Sequence, residues 1–294
     1  MAEILKRPAP APSNALWPVD KIILLYFVFT GSMVAVWWKQ IPDAAWWFTW
    51  HVAAIALLLF EIRRPNRTSW VFRNWYPLPY VASCYKEVSL LIPPIRHSRS
   101  DQWLANLDFH IWHANPTIWL ERMYSPWLTE YLQIVYTLFV PAVLLVAYLL
   151  WRRRDYTNFQ YYAFLIALGF LASYIGYILV PARGPRFLLI HLEHAPLQGK
   201  WFFEGMQHGL NQLESVAWDC FPSGHTELTI LAWWSSRLLS KRLFRVYFAY
   251  TPSIIFATVY LRYHYTVDVM AGAVLALVLI VASPWLYNEL RERV

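Results

Sequence analysis

Two histidines carry the chemistry that this sequence suggests. His264 stands in "HYTVD", four residues before Asp268, and on a helix those two positions lie one turn apart on one face. A carboxylate within reach of one ring N–H fixes the imidazole tautomer and stabilises the imidazolium. The other ring nitrogen is then left as a lone-pair nucleophile or base. Taken alone, H-x-x-x-D fits a structural pair equally well. His225 sits differently, in "DCFPSGHTELT". Pro222, Ser223 and Gly224 suit a helix start: Pro tolerates the first turn, Ser caps it, and Gly lets a ligand approach the backbone. The free N–H groups and the helix dipole make such a start an anion site. A histidine in that first turn can give a proton to whatever leaves the bound anion.

Arginines complete the set. Arg183 and Arg186 occupy "ARGPR", where Gly184 and Pro185 interrupt a preceding apolar run, and Arg262 lies two residues before His264. Guanidinium suits bidentate phosphate binding and the holding of charge in a transition state. Arginine at a membrane interface also meets lipid headgroups; the site reading is adopted for Arg183 and Arg186, and Arg262 fits either. The combination describes phosphoryl transfer through a phosphohistidine. His264 attacks phosphorus, Asp268 orients it, and His225 protonates the leaving alkoxide and later deprotonates water or an alcohol. No D-x-D-like carboxylate pair accompanies these residues, so the scheme requires neither a metal nor any other cofactor. No ligand-spaced Cys/His cluster suggests zinc, and Cys84 and Cys220 read as two free thiols.

These groups need elements to hold them, and the composition says which kind. Of 294 residues, 58% are hydrophobic and only 15% charged, well below the roughly one quarter typical of soluble domains. Apolar runs cover Lys21–Trp38, Ala44–Ile62, Trp127–Leu150, Phe159–Val180, Glu227–Leu239, Phe244–Leu261 and Val267–Leu286. Most approach the ~20 residues that cross a bilayer core; the run from Glu227 does so only when counted from Pro222. A weaker eighth, Tyr76–Ile95, carries Lys86, Glu87 and several prolines. The net charge of +7 is gathered at run ends: Lys6, Arg7 and Lys21; Arg63, Arg64, Arg67 and Arg73; Arg152–Arg154; Lys241, Arg242 and Arg245; Arg291 and Arg293. All fall on one side only if Tyr76–Ile95 also spans. That side is then cytoplasmic, with both termini. This distribution fits a membrane and not a nucleic acid. It places "VPARGPRF", "CFPSGH" and "YLRYHYTVD" together on the outer face, where ionisable groups at membrane depth suggest a functional site. The first apolar run is too long for a signal-peptide core and is expected to stay as a helix.

"PSGH" followed by "HYTVD", with an Arg-rich exit from the preceding run, resembles the type 2 phosphatidic acid phosphatase superfamily over about Tyr76 to Leu286. The resemblance implies His264 as nucleophile, His225 as acid/base, Asp268 as orienter, and Ser223 and Gly224 as phosphate-binding. The family's usual first motif, K-x6-R-P, is absent, and Ala257 and Thr258 stand where a Ser-Arg pair normally opens the third. Arg183, Arg186 and Arg262 would replace those cations. "SGHT" and "HYTVDV" are similar to the sphingomyelin synthase and inositol phosphorylceramide synthase branch, whose members move a phospho-headgroup between lipids.

The sequence therefore predicts an all-α polytopic membrane protein. Residues 1–17 form a cytoplasmic tail, 18–75 an added two-helix segment, and 76–290 a six-helix catalytic core. The expected activity is that of a lipid phosphatase acting on a phosphate or pyrophosphate. A headgroup transferase is the near alternative, and a non-catalytic anion-binding or transport protein the distant one. The partners expected are a lipid substrate and the bilayer. The setting expected is a bacterial inner membrane with a periplasmic site, or a lumenal equivalent. Glu227 either positions a headgroup or serves the structure, and His51 and Trp233–Trp234 read as packing. Trp103, Leu104, Leu107 and Ile111 share one face of a helix expected to lie in the interface plane. The segments "FLLIHL" and "WFFEGMQHGL" could frame an acyl-chain entry.

Overall fold

The computed structural model describes residues 15–64, 66–95, 100–194, 196–213 and 218–292. Most of the expected N-terminal tail, including Lys6 and Arg7, lies outside the described residues. The helices are α1 (Pro18–Val36), α2 (Ala44–Ile62), α3 (Arg67–Trp75), α4 (Pro77–Ile95), α5 (Asp101–Trp112) and the short α6 (Pro116–Trp119). There follow α7 (Pro126–Thr137), α8 (Phe139–Arg152), α9 (Tyr156–Leu179) and the one-turn α10 (Pro185–Leu188). Last come α11 (Phe203–Leu213), α12 (Gly224–Ser236), α13 (Lys241–Tyr260) and α14 (Thr266–Glu292). Among the described residues no strand forms; a lone parallel bridge joins Ala182 to Asp219. The chain is all-α and polytopic.

All eight segments expected to span are helical, but they are not equally suited to a bilayer. Four helices, α1, α2, α9 and α14, are long and apolar enough to cross, and a fifth span arises if α7 and α8 count as one. That pair is bent by 42° at Leu138, a break the unbroken run Trp127–Leu150 did not predict. Pro141 explains it: with no N–H, it cannot bond the Thr137 carbonyl one turn back, and its ring crowds that carbonyl. Helix α12 has only 13 residues, about 20 Å of helix at 1.5 Å per residue, short of a ~30 Å core.

The contacts divide the chain into two compact units, one of residues 1–97, 147–172 and 278–294, the other of 98–146 and 173–277. These boundaries differ from those drawn on the sequence at 18, 76 and 290. Within the first unit, buried polar groups lock helices together. Asp20 accepts from Arg73 at 2.5 Å and from the Tyr76 hydroxyl at 2.6 Å. His51 Nδ1 donates to the Trp47 carbonyl at 2.7 Å, while Nε2 meets Thr30 Oγ1 at 2.8 Å and Glu87 Oε1 at 3.1 Å. His51, read from sequence as packing, is thus a paired residue within the helix stack.

In the second unit, carboxylates from one element cap the starts of others. Asp108 on α5 accepts from Thr266 N at 2.8 Å and Val267 N at 2.9 Å, and so caps α14. Glu130 on α7 accepts from the amides of Lys200, Trp201, Phe202 and Phe203, where α11 begins. Helix starts leave orphan N–H groups, and an acidic side chain is the favoured partner. The buried stripe of α5 is consequently Asp101, Leu104, Ala105 and Asp108, with Trp103 and Ile111 exposed. The apolar face expected from sequence is split, because two aspartates are needed inside to hold backbone amides of other segments.

Candidate active site

Three loops come together through their backbones. Cys220 N donates to Ala182 O at 3.3 Å, and Arg186 N donates to Arg262 O at 3.1 Å. Gly184, at φ +97°, passes so close to residue 263 that a Cβ there would lie 2.6 Å from the Tyr263 carbonyl oxygen. Only glycine adopts that conformation and tolerates that approach. Asp101 holds the same loop from beneath, accepting from Arg183 N at 3.0 Å and Gly184 N at 2.9 Å. Ser223 N donates to the Asp268 carbonyl oxygen at 3.0 Å, which ties the start of α12 to the start of α14. "ARGPR", "CFPSGH" and "YHYTVD" thus occupy one site.

Inside it, His264 is buried and directed. Its Nδ1 lies 2.9 Å from the Cys220 carbonyl oxygen and 3.5 Å from Asp268 Oδ2. Either acceptor requires the proton on Nδ1, which leaves Nε2 with its lone pair. Nε2 faces His225 Nδ1 at 3.4 Å. The carbonyl is the closer of the two acceptors, so the orientation of His264 comes from the backbone as well as from Asp268. Asp268 is fully buried and is itself held: Tyr265 N donates to Oδ2 at 2.9 Å and the Cys220 thiol at 2.7 Å. Burial pushes the Cys220 thiol well up, and the Asp268 carboxylate adds to this, so the sulfur keeps its proton at neutral pH and donates. His225 is clamped by rings, stacked on Tyr136 at 4.5 Å and tilted against Phe139 at 4.5 Å.

Ser223 and Gly224, expected from sequence to hold phosphate, lie at a helix start. Ser223 is the N-cap of α12 and accepts from Thr226 N at 3.3 Å. A Cβ on Gly224 would come within 2.7 Å of the Tyr177 hydroxyl, so this position is closed to larger residues. Behind it the Ser173 hydroxyl donates to Glu227 Oε2. Glu227 Oε1 is buried with no hydrogen-bond partner among the described residues.

The three arginines separate. Arg183 stacks on the Phe187 ring at 4.1 Å, and its buried Nε has no hydrogen-bond partner among the described residues. Arg186 lies between the rings of Phe187 and Tyr263, at 4.9 and 4.8 Å. Stacking orients a guanidinium plane while leaving its edge to donate. Arg262, at φ +64°, turns away to two carboxylates, Glu193 at 2.5 Å and Glu121 at 2.8 Å. Burial raises the Glu193 carboxyl above its ordinary value, against the opposing Arg262 and with a smaller push from Glu121. Arg262 therefore braces the loop that precedes His264.

Cys220, Asp101, Glu121 and Glu193 escaped the sequence reading. Nothing in their neighbours distinguishes them from loop residues, and their partners lie far along the chain. Cys220, His264 and Asp268 also bring three ligand-type atoms within 4.8 Å of one another. Spacing along the chain did not foreshadow that grouping.

No curated protein and no solved structure matches the chain. The sequence profile of the PAP2 superfamily does, over residues 98–282. That is more than half of the chain, and the matched stretch contains all three site loops, with α9, α12 and α13 whole and α14 in part. With the two histidines, the aspartate and the helix-start cradle brought together inside it, the chain belongs to the PAP2 superfamily.

Proposed function

We propose that this protein is an integral-membrane lipid phosphatase that opens a lipid phosphate or pyrophosphate through a phosphohistidine. The observation that carries the reading is the asymmetry of His264. One ring nitrogen is tied to Cys220 O and Asp268, and the other points at His225 with its lone pair available. Nε2 of His264 attacks phosphorus, forming a P–N bond as the P–O bond to the lipid breaks. His225 donates its proton to the departing oxygen, then takes one from water as the phosphohistidine is hydrolysed. The 3.4 Å between the two nitrogens leaves no room for a phosphoryl group, so substrate has to part the rings. Arg183, Arg186 and the amides at the start of α12 hold the phosphoryl oxygens as charge develops.

The exposed aromatic and aliphatic residues Trp103, Phe187, Ile190, Trp201 and Phe202 belong to the same unit. They suit a site whose substrate stays in the bilayer, with acyl chains entering past "FLLIHL" and "WFFEGMQHGL". In the proposed setting the site faces outward, the periplasm in a bacterial inner membrane, with both termini cytoplasmic. A second reading, transfer of the phospho-group to an acceptor lipid, is favoured by Glu227. Its unpartnered oxygen, one turn beyond Ser223, could hold an acceptor hydroxyl. Purified protein in lipid nanodiscs, given labelled phosphatidic acid, polyprenyl pyrophosphate and phosphatidylinositol with and without diacylglycerol or ceramide, tests both. Free phosphate from wild type and none from His264→Ala supports the phosphatase. A new acceptor-dependent phospholipid replaces it with the transferase. Silence on every lipid from a folded wild type would favour the anion-binding alternative.

A further inference from the structure

The rear of the site holds a group of atoms that phosphoryl transfer does not require in that combination. A family-type scheme needs an imidazole and a carboxylate; here a thiol completes a triangle with them. Cys220 Sγ lies 3.8 Å from His264 Nδ1, His264 Nδ1 lies 3.5 Å from Asp268 Oδ2, and Cys220 Sγ lies 2.7 Å from Asp268 Oδ2. Ligands about 2.0–2.3 Å from a tetrahedral zinc ion sit roughly 3.3–3.8 Å from one another. Two sides of the triangle have that length already. The third is short because a proton bridges it, and it has to open by roughly 0.8 Å once that proton leaves and a metal takes its place. A second observation points the same way: Asp268 Oδ1 is buried and has no hydrogen-bond partner among the described residues. Asp268 thus carries, on the same carboxylate, an oxygen whose hydrogen-bonding capacity is unused.

We infer that Cys220, His264 and Asp268 form an inhibitory site for a thiophilic divalent cation of the zinc class. Thiolate, imidazole and carboxylate together select zinc or cadmium over magnesium or calcium, which prefer all-oxygen sites. Binding releases the Cys220 S–H proton to solvent, and the single N–H proton of His264 passes from Nδ1 to Nε2 as Nδ1 takes the metal. The imidazole stays neutral, with its one proton now on Nε2. The lone pair that attacks phosphorus is then gone, and the Cys220 carbonyl loses its donor. The metal acts from behind the nucleophile and does not occupy the phosphate cradle. It therefore lowers kcat without competing with substrate.

Cadmium bound to thiolate gives an ultraviolet charge-transfer absorption, which serves as a direct readout and needs no turnover. Full-length protein in nanodiscs is titrated with Cd²⁺, then with Zn²⁺ or Mg²⁺ as competitor. Wild type and Cys84→Ala are expected to develop the absorption at one equivalent and to lose it to Zn²⁺ but not to Mg²⁺. Cys220→Ser, whose hydroxyl can still donate to Asp268, is expected to show none. Asp268→Asn should weaken binding by at least the 10–100-fold that follows loss of an outer-shell partner. Helical circular dichroism and thermal unfolding identify any variant that has failed to fold, and Cys220→Ala stands in for Cys220→Ser in that event. The inference is overturned by a wild type with no absorption, or by an absorption that survives in Cys220→Ser and disappears in Cys84→Ala. If a lipid substrate is turned over, Zn²⁺ should slow wild type and spare whatever activity Cys220→Ser retains. Equal inhibition of both would end the inhibitory assignment. Failure to find a substrate would leave the binding result standing, so this inference and the phosphatase reading fail separately.

Discussion

His51 and His264 are both buried, both have a carboxylate near by, and both lie among helices. Their second ring nitrogens differ. His51 has Nδ1 on the Trp47 carbonyl and Nε2 between Thr30 and Glu87, so both ring nitrogens are engaged within the unit. His264 has Nδ1 on Cys220 O and Asp268, but its Nε2 has only another imidazole before it, at the long distance of 3.4 Å. An imidazole engaged at both nitrogens holds a fold together, whereas one with a fixed tautomer and a loosely engaged second nitrogen suits the reaction proposed. A buried His–carboxylate pair is thus uninformative about function until the other nitrogen is located.

Mutations can break this contrast, beginning with the largest effect. His264→Ala should reduce lipid phosphate release to background and abolish any acid-labile phosphoprotein trapped by rapid quench, with thermal unfolding little changed. Substantial residual release would remove His264 as nucleophile. Next, His225→Ala should lower kcat by about 10²–10⁴-fold, the usual worth of a positioned general acid. Wild-type activity should fall as pH rises, because His225 must be protonated to act as the acid, and burial, with a smaller push from His264, lowers its pKa well below the ordinary histidine value. The His225 variant should lose the alkaline limb; a retained limb would assign the acid elsewhere.

Asp268→Asn should come third, costing less than loss of His264. The Cys220 carbonyl continues to hold Nδ1 at 2.9 Å while the charge beside the imidazolium disappears. A loss equal to that of His264→Ala would mean that Asp268 sets the tautomer alone. Arg183→Lys and Arg186→Lys should each lower kcat/KM by about one order of magnitude, because an ammonium keeps the charge but neither stacks nor donates in a planar fork. Unchanged kinetics in both would make them interfacial anchors. Smallest on turnover should be His51→Ala. It leaves Glu87 without its ion-pair partner and removes one of the two partners of Thr30, and should cost roughly 1–3 kcal/mol of stability, with kcat/KM almost unmoved. A collapse of kcat/KM at unchanged unfolding temperature would show that the contrast between the two histidines had been drawn wrongly.

Much of the site was legible because its determinants are local. Ser223 before an apolar run announces a cap, and His264 with Asp268 announces a shared helical face. Gly184 and Pro185 mark the end of α9 by their backbone chemistry. The roles of Asp101, Asp108 and Glu130 were not legible. Each caps or holds backbone amides far along the chain, and nothing in the flanking residues encodes which amides those will be. The same reason explains Arg262. Its place beside His264 suggests phosphate, but Glu121 and Glu193 occupy its fork, and both reach it from distant segments. In α5, apolar periodicity suggested one face, and burial of two amide-holding aspartates selected another.

The sequence by itself determined the class of molecule and which few polar motifs are candidates for its chemistry. An apolar, sparsely charged chain with runs of about 20 residues forms helices in a bilayer because unpaired backbone groups are too costly there, and its few clustered polar motifs stand out against them. Tertiary structure decided which nitrogen of His264 meets His225, which arginine is taken up by carboxylates, and that a thiol stands against Asp268. Those outcomes depend on directions and on distances of a few ångströms between loops remote in sequence. Such distances are set by how the helices pack, and not by any residue's type.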